Sequence, residues 1–339
     1  MKAISLISGG LDSTLAAKLI LDQGIEVIGV NFISPFCLCD GRNGCKKKSI
    51  EVVEELGIKL KILPIHNEYL EMVKNPKYGY GKNLNPCIDC RILMLKKAKE
   101  FMENINASFI ITGEVLGQRP MSQNRKAIQI IEKESGLEGL IVRPLSAKFL
   151  PPSIPEKEGW ISRDKLLNII GRSRKMQLAL AKQYKINNFK CAAGGCLLTD
   201  PIFSKIVEDL IRSNMLTIEN VNLIKNGRYF RITDSFKLVV GRNQSENQKL
   251  LHLAKTGDLV IESEEKGPVA IGRGKFSDKE LELSLKIARY YCKIESAKIS
   301  YWIPPDKIKN SVSLNDKLDL QEILNYKIQG ELPHFEFSS

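Results

Sequence analysis

Short aliphatic runs alternate with amphipathic segments through the first 150 residues. The aliphatic runs predict strands at "AISLI", "EVIGVNFI", "LKILPI" and "SFIITG". Apolar residues at helical spacing between these runs predict helices over Ser13–Gln23, Lys47–Leu56 and Ile92–Met102. Strands separated by helices favour an α/β fold in which a doubly wound parallel sheet is covered by helices on both faces.

The pattern changes in the second half of the chain. A proline-rich loop over 149–160 is followed by helical spacing through Arg163–Tyr184. Strand-like pieces then appear at "YFRIT", "KLVVGRN", "DLVIES", "GPVAIG" and "AKISYWI", with a helix over Asp278–Tyr291 before the last of them. These elements predict a second, smaller α+β domain. The expected organisation is a first domain over 1–215, a second over 216–315 and a C-terminal tail over 316–339.

The charge balance indicates a class of binding partner. Lys and Arg number 51 against 39 Asp and Glu, which gives a formal net charge of +12. Such a chain favours a polyanion, although charge alone does not distinguish RNA from DNA or an acidic membrane. We find no leading signal segment and no apolar run of about 18 residues that could span a bilayer. We therefore expect a cytoplasmic protein without a membrane partner.

The chain contains eight cysteines, which structural disulfides do not explain in a cytoplasmic protein. Reducing conditions keep thiols free there, so metal ligation or sulfur chemistry is a better expectation than disulfides. Their spacing is uneven. Cys37, Cys39 and Cys45 crowd one loop, Cys87 and Cys90 form a CxxC, Cys191 and Cys196 flank glycines, and Cys292 stands alone.

The stretch "SLISGGLDSTLAAKLI" reads as a strand, a glycine turn and a helix. Backbone N–H groups and the positive end of the helix dipole would then surround an anion, which makes the turn a phosphate cradle. Gly9 and Gly10 permit a positive φ and close approach of a ligand. The hydroxyls of Ser8, Ser13 and Thr14 add hydrogen-bond donors.

Asp12 refines this prediction. The turn lacks both the GxxxxGK[ST] lysine and the GxGxxG pattern, so those two nucleotide motifs are excluded. A carboxylate in an anion cradle is understandable if Mg²⁺ bridges it to the phosphates. The alternative is a glycine turn that serves only tight packing.

The SGGxDS segment at the end of the first strand resembles the pyrophosphatase-loop (PP-loop) family of ATP-using enzymes. The resemblance implies that ATP is held by its phosphates and that AMP is transferred to a substrate oxygen. It also implies adenine contacts near the end of the second strand, at Val30, Asn31 and Phe32, and a further ATP contact at Gly113.

Two cysteine-containing segments then indicate which substrate of this family the chain uses. Cys87 and Cys90 lie just before or within the first turn of a predicted helix, where the dipole should lower the thiol pKa and favour thiolate. In "FKCAAGGCLLTDP", Cys191 and Cys196 could fold back beside them, because loops at the carboxyl ends of parallel strands converge on one crevice.

Three ordered motifs resemble the tRNA 4-thiouridine synthetases over roughly residues 1–200. They are "PCIDCRILM", "ITGEVLGQRPMSQN", which is similar to TGESLGQVASQ, and "IVRPLS" in place of LRPL. The resemblance implies that ATP adenylates a uridine carbonyl oxygen, which sulfur then displaces. It also implies that Glu114, Gln118 and Ser122 face the nucleotide. Arg119 and Pro120 depart from the family's small residues.

Two mechanisms remain open at the cysteines. Either one thiol carries a persulfide that a second thiol resolves, or three thiolates hold a [4Fe–4S] cluster whose open iron binds the transferred sulfur. We favour the cluster on Cys87, Cys90 and Cys196, with Cys191 as the alternative third ligand. Sulfide or a separate cysteine desulfurase is the expected sulfur donor.

The remaining cysteines receive other predictions. Cys37, Cys39 and Cys45 could bind zinc with one more ligand, but a surface loop with reduced thiols is favoured because the spacing is loose. Cys292 lies between helix and strand signals and is expected in the core.

The second domain contains a likeness to an RNA-binding module. Its segments "FKLVVGRNQSENQKLLHLAKTGDLVIES", "GPVAIGRG" and "ARYYCKIESAKISYWIPPDKIKN" resemble the RNA-binding module of the NFACT family. The resemblance implies tRNA contacts at Arg242, Asn243, Arg273 and Lys293. Alternatively, Asn243 caps a turn and Arg242 joins a solvated ion pair.

These observations lead to one functional hypothesis with named rivals. We predict ATP-dependent tRNA thiolation, with 4-thiouridine at position 8 favoured and 2-thiouridine as the alternative. Rivals from other classes are a nucleotide-responsive RNA-binding protein without sulfur transfer and an amide- or nitrile-forming synthetase with zinc on its cysteines. The sequence leaves open whether the protein forms a homodimer.

Overall fold

The computed structural model describes residues 1–37, 45–186, 196–292, 298–306, 308–313 and 318–328. Within it the chain divides into two compact units, Met1–Thr199 and Asp200–Ser339.

The first unit is an α/β structure. Its strands are β1 (Lys2–Leu6), β2 (Glu26–Ile33), β3 (Lys59–Pro64), β4 (Phe109–Ile111) and β5 (Ile141–Val142). Its α-helices are α1 (Leu11–Leu21), α2 (Cys45–Leu56), α3 (His66–Lys74), α4 (Cys87–Asn104), α5 (Arg125–Ser135), α6 (Ile154–Lys157) and α7 (Lys175–Gln183). The described strands are all parallel and lie in the order β3-β2-β1-β4-β5.

Alternating residues of the central strands supply a core on each face of this sheet. In β4, Phe109 and Ile111 pack with α1 and α7, whereas Ile110 faces the opposite layer with α4 and α5. Helices therefore cover both faces, and the predicted doubly wound fold is confirmed. The strand order reverses between β1 and β4, so the loops that follow these two strands separate and leave a crevice.

One helix is shorter than its sequence pattern indicated. The spacing predicted a helix through Arg163–Tyr184, but α7 covers only its last part. Leu167 and Ile169 donate their N–H groups to the carbonyls of Pro144 and Leu145, at 2.8 Å each. These long-range hydrogen bonds replace the helical ones and hold this segment in an extended form.

The second unit is built on an antiparallel sheet. Its strands are β6 (Arg228–Arg231), β7 (Phe236–Val240), β8 (Leu259–Ser263), β9 (Val269–Gly274), β10 (Lys298–Trp302) and β11 (Asn310–Ser313). Its helices are α8 (Pro201–Arg212), α9 (Ile218–Ile224), α10 (Gln244–Leu253), α11 (Asp278–Tyr290) and α12 (Leu320–Tyr326). The described strands lie in the order β11-β10-β8-β9-β7-β6, and α11 packs its apolar side against them. The separate α+β domain is thereby confirmed.

The boundaries of this unit differ from the predicted ones. It begins at Asp200 rather than at residue 216, since Asp209 of α8 accepts a hydrogen bond from Tyr229 and pairs with buried Lys237 at 2.8 Å. The predicted tail over 316–339 also contributes to the fold, because Ile323 of α12 is buried in the core of the unit. In the part of the chain described, no helix is long and apolar enough to cross a membrane.

Candidate functional site

A cavity of about 470 Å³ opens at the crevice between β1 and β4. This volume lies in the range of small-molecule and cofactor sites. Its lining comes from the carboxyl ends of β1, β2 and β4, the start of α1, the first turns of α4, and two later loops. The residues concerned are Leu6–Ser8, Gly10–Ser13, Val30–Phe32, Arg91, Met94, Thr112–Glu114, Gln118, Arg119, Gln123, Arg172 and Arg174.

The phosphate turn, residues 8–14, forms one wall of this cavity. Gly9 adopts φ +75°, and a Cβ there would lie 2.7 Å from Cβ of Lys48, so no other residue fits. Gly10 is the N-cap of α1, and no side chain of the described residues caps the helix. The first amides of α1 are therefore open to an anion. The Ser13 hydroxyl donates to the Gly10 carbonyl at 2.8 Å and holds the turn closed.

Most of the predicted ATP-binding residues do meet at this cavity. Those that line it are Ser8, Gly10, Asp12, Ser13, Val30, Asn31, Phe32 and Gly113. Gly9 and Thr14 do not. Thr14 is fully buried and donates its hydroxyl to the Gly10 carbonyl at 3.1 Å, so the expectation that it serves the phosphates is corrected. Both residues shape the turn from behind.

Gly113 is required by close packing. A Cβ there would lie 2.4 Å from the backbone nitrogen of Ser13, so the loop after β4 rests directly on the first turn of α1. Any larger residue would push these two segments apart. Gly113 therefore shapes the cavity by bringing two of its walls together.

Three buried acceptor oxygens on the cavity wall have neither a hydrogen-bond donor nor an ion-pair partner among the described residues. They are Oδ1 of Asp12, Oδ1 of Asn31 and Oε1 of Gln123. The other carboxylate oxygen of Asp12 accepts from Nε2 of Gln118 at 2.9 Å. Buried acceptors without donors are costly unless a ligand or ion satisfies them. The wall therefore fits ATP with Mg²⁺: Asp12 offers an oxygen to the cation, and the α1 amides offer donors to the phosphates.

Glu114 lines the cavity at which the nucleotide is predicted, and it also pairs with two arginines. Its side chain is 2% exposed and pairs with Nε of Arg91 at 3.0 Å and Nε of Arg143 at 2.9 Å. Burial alone would raise the pKa of Glu114, but the two guanidinium groups together lower it. Glu114 thus orients Arg91 on the cavity wall. Ser122 is buried outside the cavity, which corrects the expectation that it faces the nucleotide.

Arginines on the wall were missed by sequence reasoning. Arg119, Arg172 and Arg174 all line the cavity, and among the described residues none of them forms an ion pair with a carboxylate. Their charges are available to phosphate groups, which suits a nucleotide or an RNA backbone. The departure of Arg119 from the small residues of the resembled motif was the available signal.

The cysteines form a second cluster beside the cavity, which we call the thiol site: Cys37, Cys87, Cys90 and Cys196. Cys87 opens α4, and Cys90 follows one turn later on the same face. Cys196 faces Cys37 across an isolated antiparallel bridge. The structure therefore brings together the three predicted residues, Cys87, Cys90 and Cys196, and adds Cys37.

Arginines connect the thiol site to the cavity. Arg91 and Arg119 line the cavity, and the charges of both act on the Cys87 sulfur, tending to lower its pKa. The thiol site therefore adjoins the side of the cavity that carries Arg91 and Arg119. This proximity is what a transfer between the two places requires.

The expected lowering of the thiol pKa values does not occur. Burial raises the pKa of Cys87, raises that of Cys90 to about 11 and raises that of Cys196 to about 12. The helix start and the nearby arginines do not outweigh the loss of water around the sulfurs. In the metal-free protein these groups are neutral thiols, and a bound cation would be needed to hold them as thiolates.

The donor set of the thiol site fits an iron–sulfur group. All of its ligating atoms are soft sulfurs, with no carboxylate or imidazole among them. In the described ranges no three His, Cys, Asp or Glu side chains stand close enough to hold a single metal ion. The spacing therefore does not match a single zinc ion, whereas the irons of a cluster take thiolates at separate corners.

The other cysteines have mixed outcomes. Cys37 is not part of a loop of free surface thiols as predicted, because its strand-like pairing with Cys196 draws it into the thiol site. Cys39, Cys191 and the side chain of Cys45 lie outside the described residues. Cys292 is buried in the core of the second unit, as expected.

Three of the four residues predicted to contact RNA are described, and they lie in different settings in the second unit. Arg242 is 48% exposed and pairs with Glu246, and Asn243 caps α10 by accepting from the Glu246 N–H. Arg273 is held internally by Asp258, by Asn220 and by the Leu253 carbonyl, which corrects its assignment as an RNA contact. Lys293 lies outside the described residues.

Comparisons with known proteins agree with both sequence resemblances. Residues 1–148 match the family model described as thiamine biosynthesis protein (ThiI), and residues 227–322 match that of the NFACT protein RNA binding domain. The resemblances predicted from the PP-loop and the VGRN segment are thus confirmed.

Individual relatives match over shorter stretches. The tRNA-specific 2-thiouridylase MnmA of Leptospira interrogans is 35% identical over 102 residues, which is 26% of this chain and 27% of that protein. The "Probable tRNA sulfurtransferase" of Thermococcus kodakarensis is 31% identical over 156 residues, or 42% of this chain and 36% of that protein. The chain thus spans about a third of the length of these curated relatives.

A solved structure was also found, a 4-thiouridine synthetase–RNA complex with bound ATP. It has a TM-score of 0.42 and 20% identity, and covers 65% of this chain and 52% of the other.

Proposed function

We propose that this protein is an ATP-dependent tRNA thiouridine synthase. It binds Mg-ATP at the phosphate turn, transfers AMP to a uridine carbonyl oxygen, and replaces that oxygen with sulfur at the thiol site. The observation that supports this most strongly is the position of the thiol site beside the cavity, with Arg91 and Arg119 connecting them. The two family matches agree with it.

The reaction has two steps, adenylation at the phosphate turn and then sulfur insertion at the thiol site. The uridine oxygen attacks the α-phosphorus of ATP, which forms an O–P bond and releases pyrophosphate. AMP is then a good leaving group, and a hydrosulfide sulfur attacks the ring carbon, expels AMP and loses its proton to leave C=S. No net oxidation or reduction occurs when sulfide is the donor. A cysteine desulfurase, the alternative source, delivers persulfide sulfur, and a second thiol then supplies two electrons as it forms a disulfide.

Residues of the chain have defined tasks in this scheme. The α1 amides bind phosphate oxygens, Asp12 offers an oxygen to Mg²⁺, and Arg119, Arg172 and Arg174 offset the negative charge that grows as pyrophosphate departs. An iron–sulfur cluster on Cys87, Cys90 and Cys196 would supply an iron site that holds the sulfur for attack. Arg242 and Asn243 would contact the tRNA, in the cytoplasm.

Two positions on the uridine ring are candidates. The match to the ThiI model and the GEVLGQ segment favour 4-thiouridine at position 8 of tRNA. The similarity to 2-thiouridylases favours the 2-position as the alternative.

Nucleoside analysis of tRNA from a deletion strain tests both. We expect one thiolated nucleoside to vanish, to return with the wild-type gene and to stay absent with Asp12→Ala. The identity of the missing nucleoside assigns the ring position. Unchanged tRNA would overturn the proposal.

A further inference from the structure

The loop after β2 places Cys37 in the thiol site through its own local structure. Its N–H donates to the Ser34 carbonyl at 3.3 Å, which closes a turn, and its sulfur lies 3.2 Å from the Ser34 hydroxyl. Parallel strands end at the same edge of a sheet, so the loop after β2 lies beside the phosphate turn that follows β1.

Cys196 is held against this loop by backbone pairing. Cys37 and Cys196 are direct partners in the antiparallel bridge, and the Leu197 N–H donates to the Phe36 carbonyl at 3.1 Å. On its other side, the same segment is tied to the loop before α4, because Nδ2 of Asn83 donates to the Thr199 carbonyl at 2.8 Å. The sulfur of Cys37 is therefore fixed near that of Cys196 and near the start of α4.

Tyr69 of α3 lies under this group of thiols. It is 2% exposed, and its ring packs on Phe36 with the centroids 5.8 Å apart. Burial raises the pKa of Tyr69, and the nearby sulfurs of Cys90, Cys196 and Cys37 act in the same direction. A single buried hydroxyl thus shares its surroundings with three of the four thiols, which come from three separate segments.

A four-thiol site has a definite consequence for an iron–sulfur cluster. A cubane cluster has four irons, and thiolates at Cys87, Cys90 and Cys196 would leave one iron without a protein ligand. Cys37 is a soft donor already placed at the same group through its bridge to Cys196.

We propose that Cys37 is the fourth protein ligand of the cluster, bound to the iron that the other three cysteines leave open. This rests on the cluster form of the proposed function. With a cluster bound, Cys37 would occupy the iron that the sulfur substrate needs and would keep other ligands from it until that substrate arrives.

Iron retention on oxidation tests this ligand directly. A cubane iron without a protein ligand is the first to be lost, leaving a paramagnetic [3Fe–4S] cluster. The full chain is reconstituted anaerobically with ferrous iron and sulfide, mildly oxidised, and followed by iron content and EPR. We compare wild type with Cys37→Ala, and use Cys292→Ala as a control, because Cys292 is buried in the other unit.

We expect wild type and C292A to keep about four irons per chain and to give no three-iron signal. C37A should fall to about three irons and show that signal. The proposal is overturned if C37A retains its iron like wild type, or if wild type itself gives the three-iron signal.

Alkylation of the wild-type protein gives a second test that needs no variant. Iodoacetamide should modify Cys37 in the metal-free chain. In the cluster-bound chain it should spare Cys37 as well as Cys87, Cys90 and Cys196, and mass spectrometry identifies the modified residues. Labelling of Cys37 alone in the cluster-bound chain would overturn the proposal. A chain that binds no iron would also overturn it, while tRNA nucleoside analysis would still decide thiolation separately.

Discussion

The phosphate turn is made by seven consecutive residues, whereas the thiol site is assembled from segments around residues 37, 87–90 and 196. The turn is held by local hydrogen bonds such as Ser13 to Gly10. The thiol site depends on pairing between distant segments, such as Cys37 with Cys196. The comparison teaches that the phosphate turn is encoded locally, while the thiol site depends on the completed fold.

Loss of the Asp12 carboxylate should have the largest effect on the phosphate turn. Asp12→Asn removes the charge that would hold Mg²⁺, so we expect AMP release to fall by about 100-fold or more. RNA affinity should be unchanged, because the predicted RNA contacts lie in the second unit. The matched control is Asp22→Asn, which removes a carboxylate at the exposed end of α1. Equal loss in both variants would contradict the assignment.

Loss of a thiol should impair the thiol site and leave the phosphate turn active. Cys90→Ser removes a soft sulfur but leaves the phosphate turn intact, so thiolation should fall by about 100-fold while tRNA-dependent pyrophosphate formation in the first turnover stays within a few-fold of wild type. AMP stays bonded to the uridine until sulfur displaces it, so thionucleoside and pyrophosphate are measured in the same reaction. If pyrophosphate formation falls as far as thiolation, the two regions are not functionally separate.

The buried charge cluster beside the cavity should affect stability. Glu114→Gln leaves Arg143 without its full partner, and we expect the unfolding free energy to fall by about 3 kcal/mol at pH 7. Because the folded pKa of Glu114 is lowered from 4.5, its contribution is present above pH 4.5 and is lost as pH falls through the folded value.

Urea unfolding at several pH values measures this effect. Wild type should lose stability below pH 4.5 more steeply than the Glu114→Gln variant does. Glu134→Gln, at a surface pair with Lys77, is the control and should change stability little. Parallel pH curves for wild type and E114Q would contradict the buried-pair account.

The smallest effect is expected at the RNA-contact residues. Arg242→Ala should weaken tRNA binding a few-fold and reduce its salt slope by about 1, as expected for one lost phosphate contact. The measurement is a tRNA binding isotherm at several salt concentrations. Lys18→Ala, which removes an exposed charge from the first unit, should leave the slope unchanged. Equal slopes for wild type and R242A would remove Arg242 from the interface.

The same contrast explains how far the sequence predicted the site. The β1–turn–α1 unit was predictable because strand period, glycines and helix start follow one another within residues 2–21. Cys37 was misjudged because its role depends on a bridge to a residue far along the chain. Arg273 was misjudged because its partner Asp258 becomes its neighbour only through sheet pairing. The thiol pKa values were misjudged because burial is a property of the whole fold.

A single-turnover reaction tests the central claim most directly, that the cavity and the thiol site act on one substrate. Anaerobically reconstituted protein is mixed with ATP, sulfide and unmodified tRNA, and AMP and thiouridine are quantified together by mass spectrometry. The account predicts one AMP for each thiouridine, with both products absent when tRNA is withheld. AMP without thiouridine, or thiouridine formed without ATP, would contradict it.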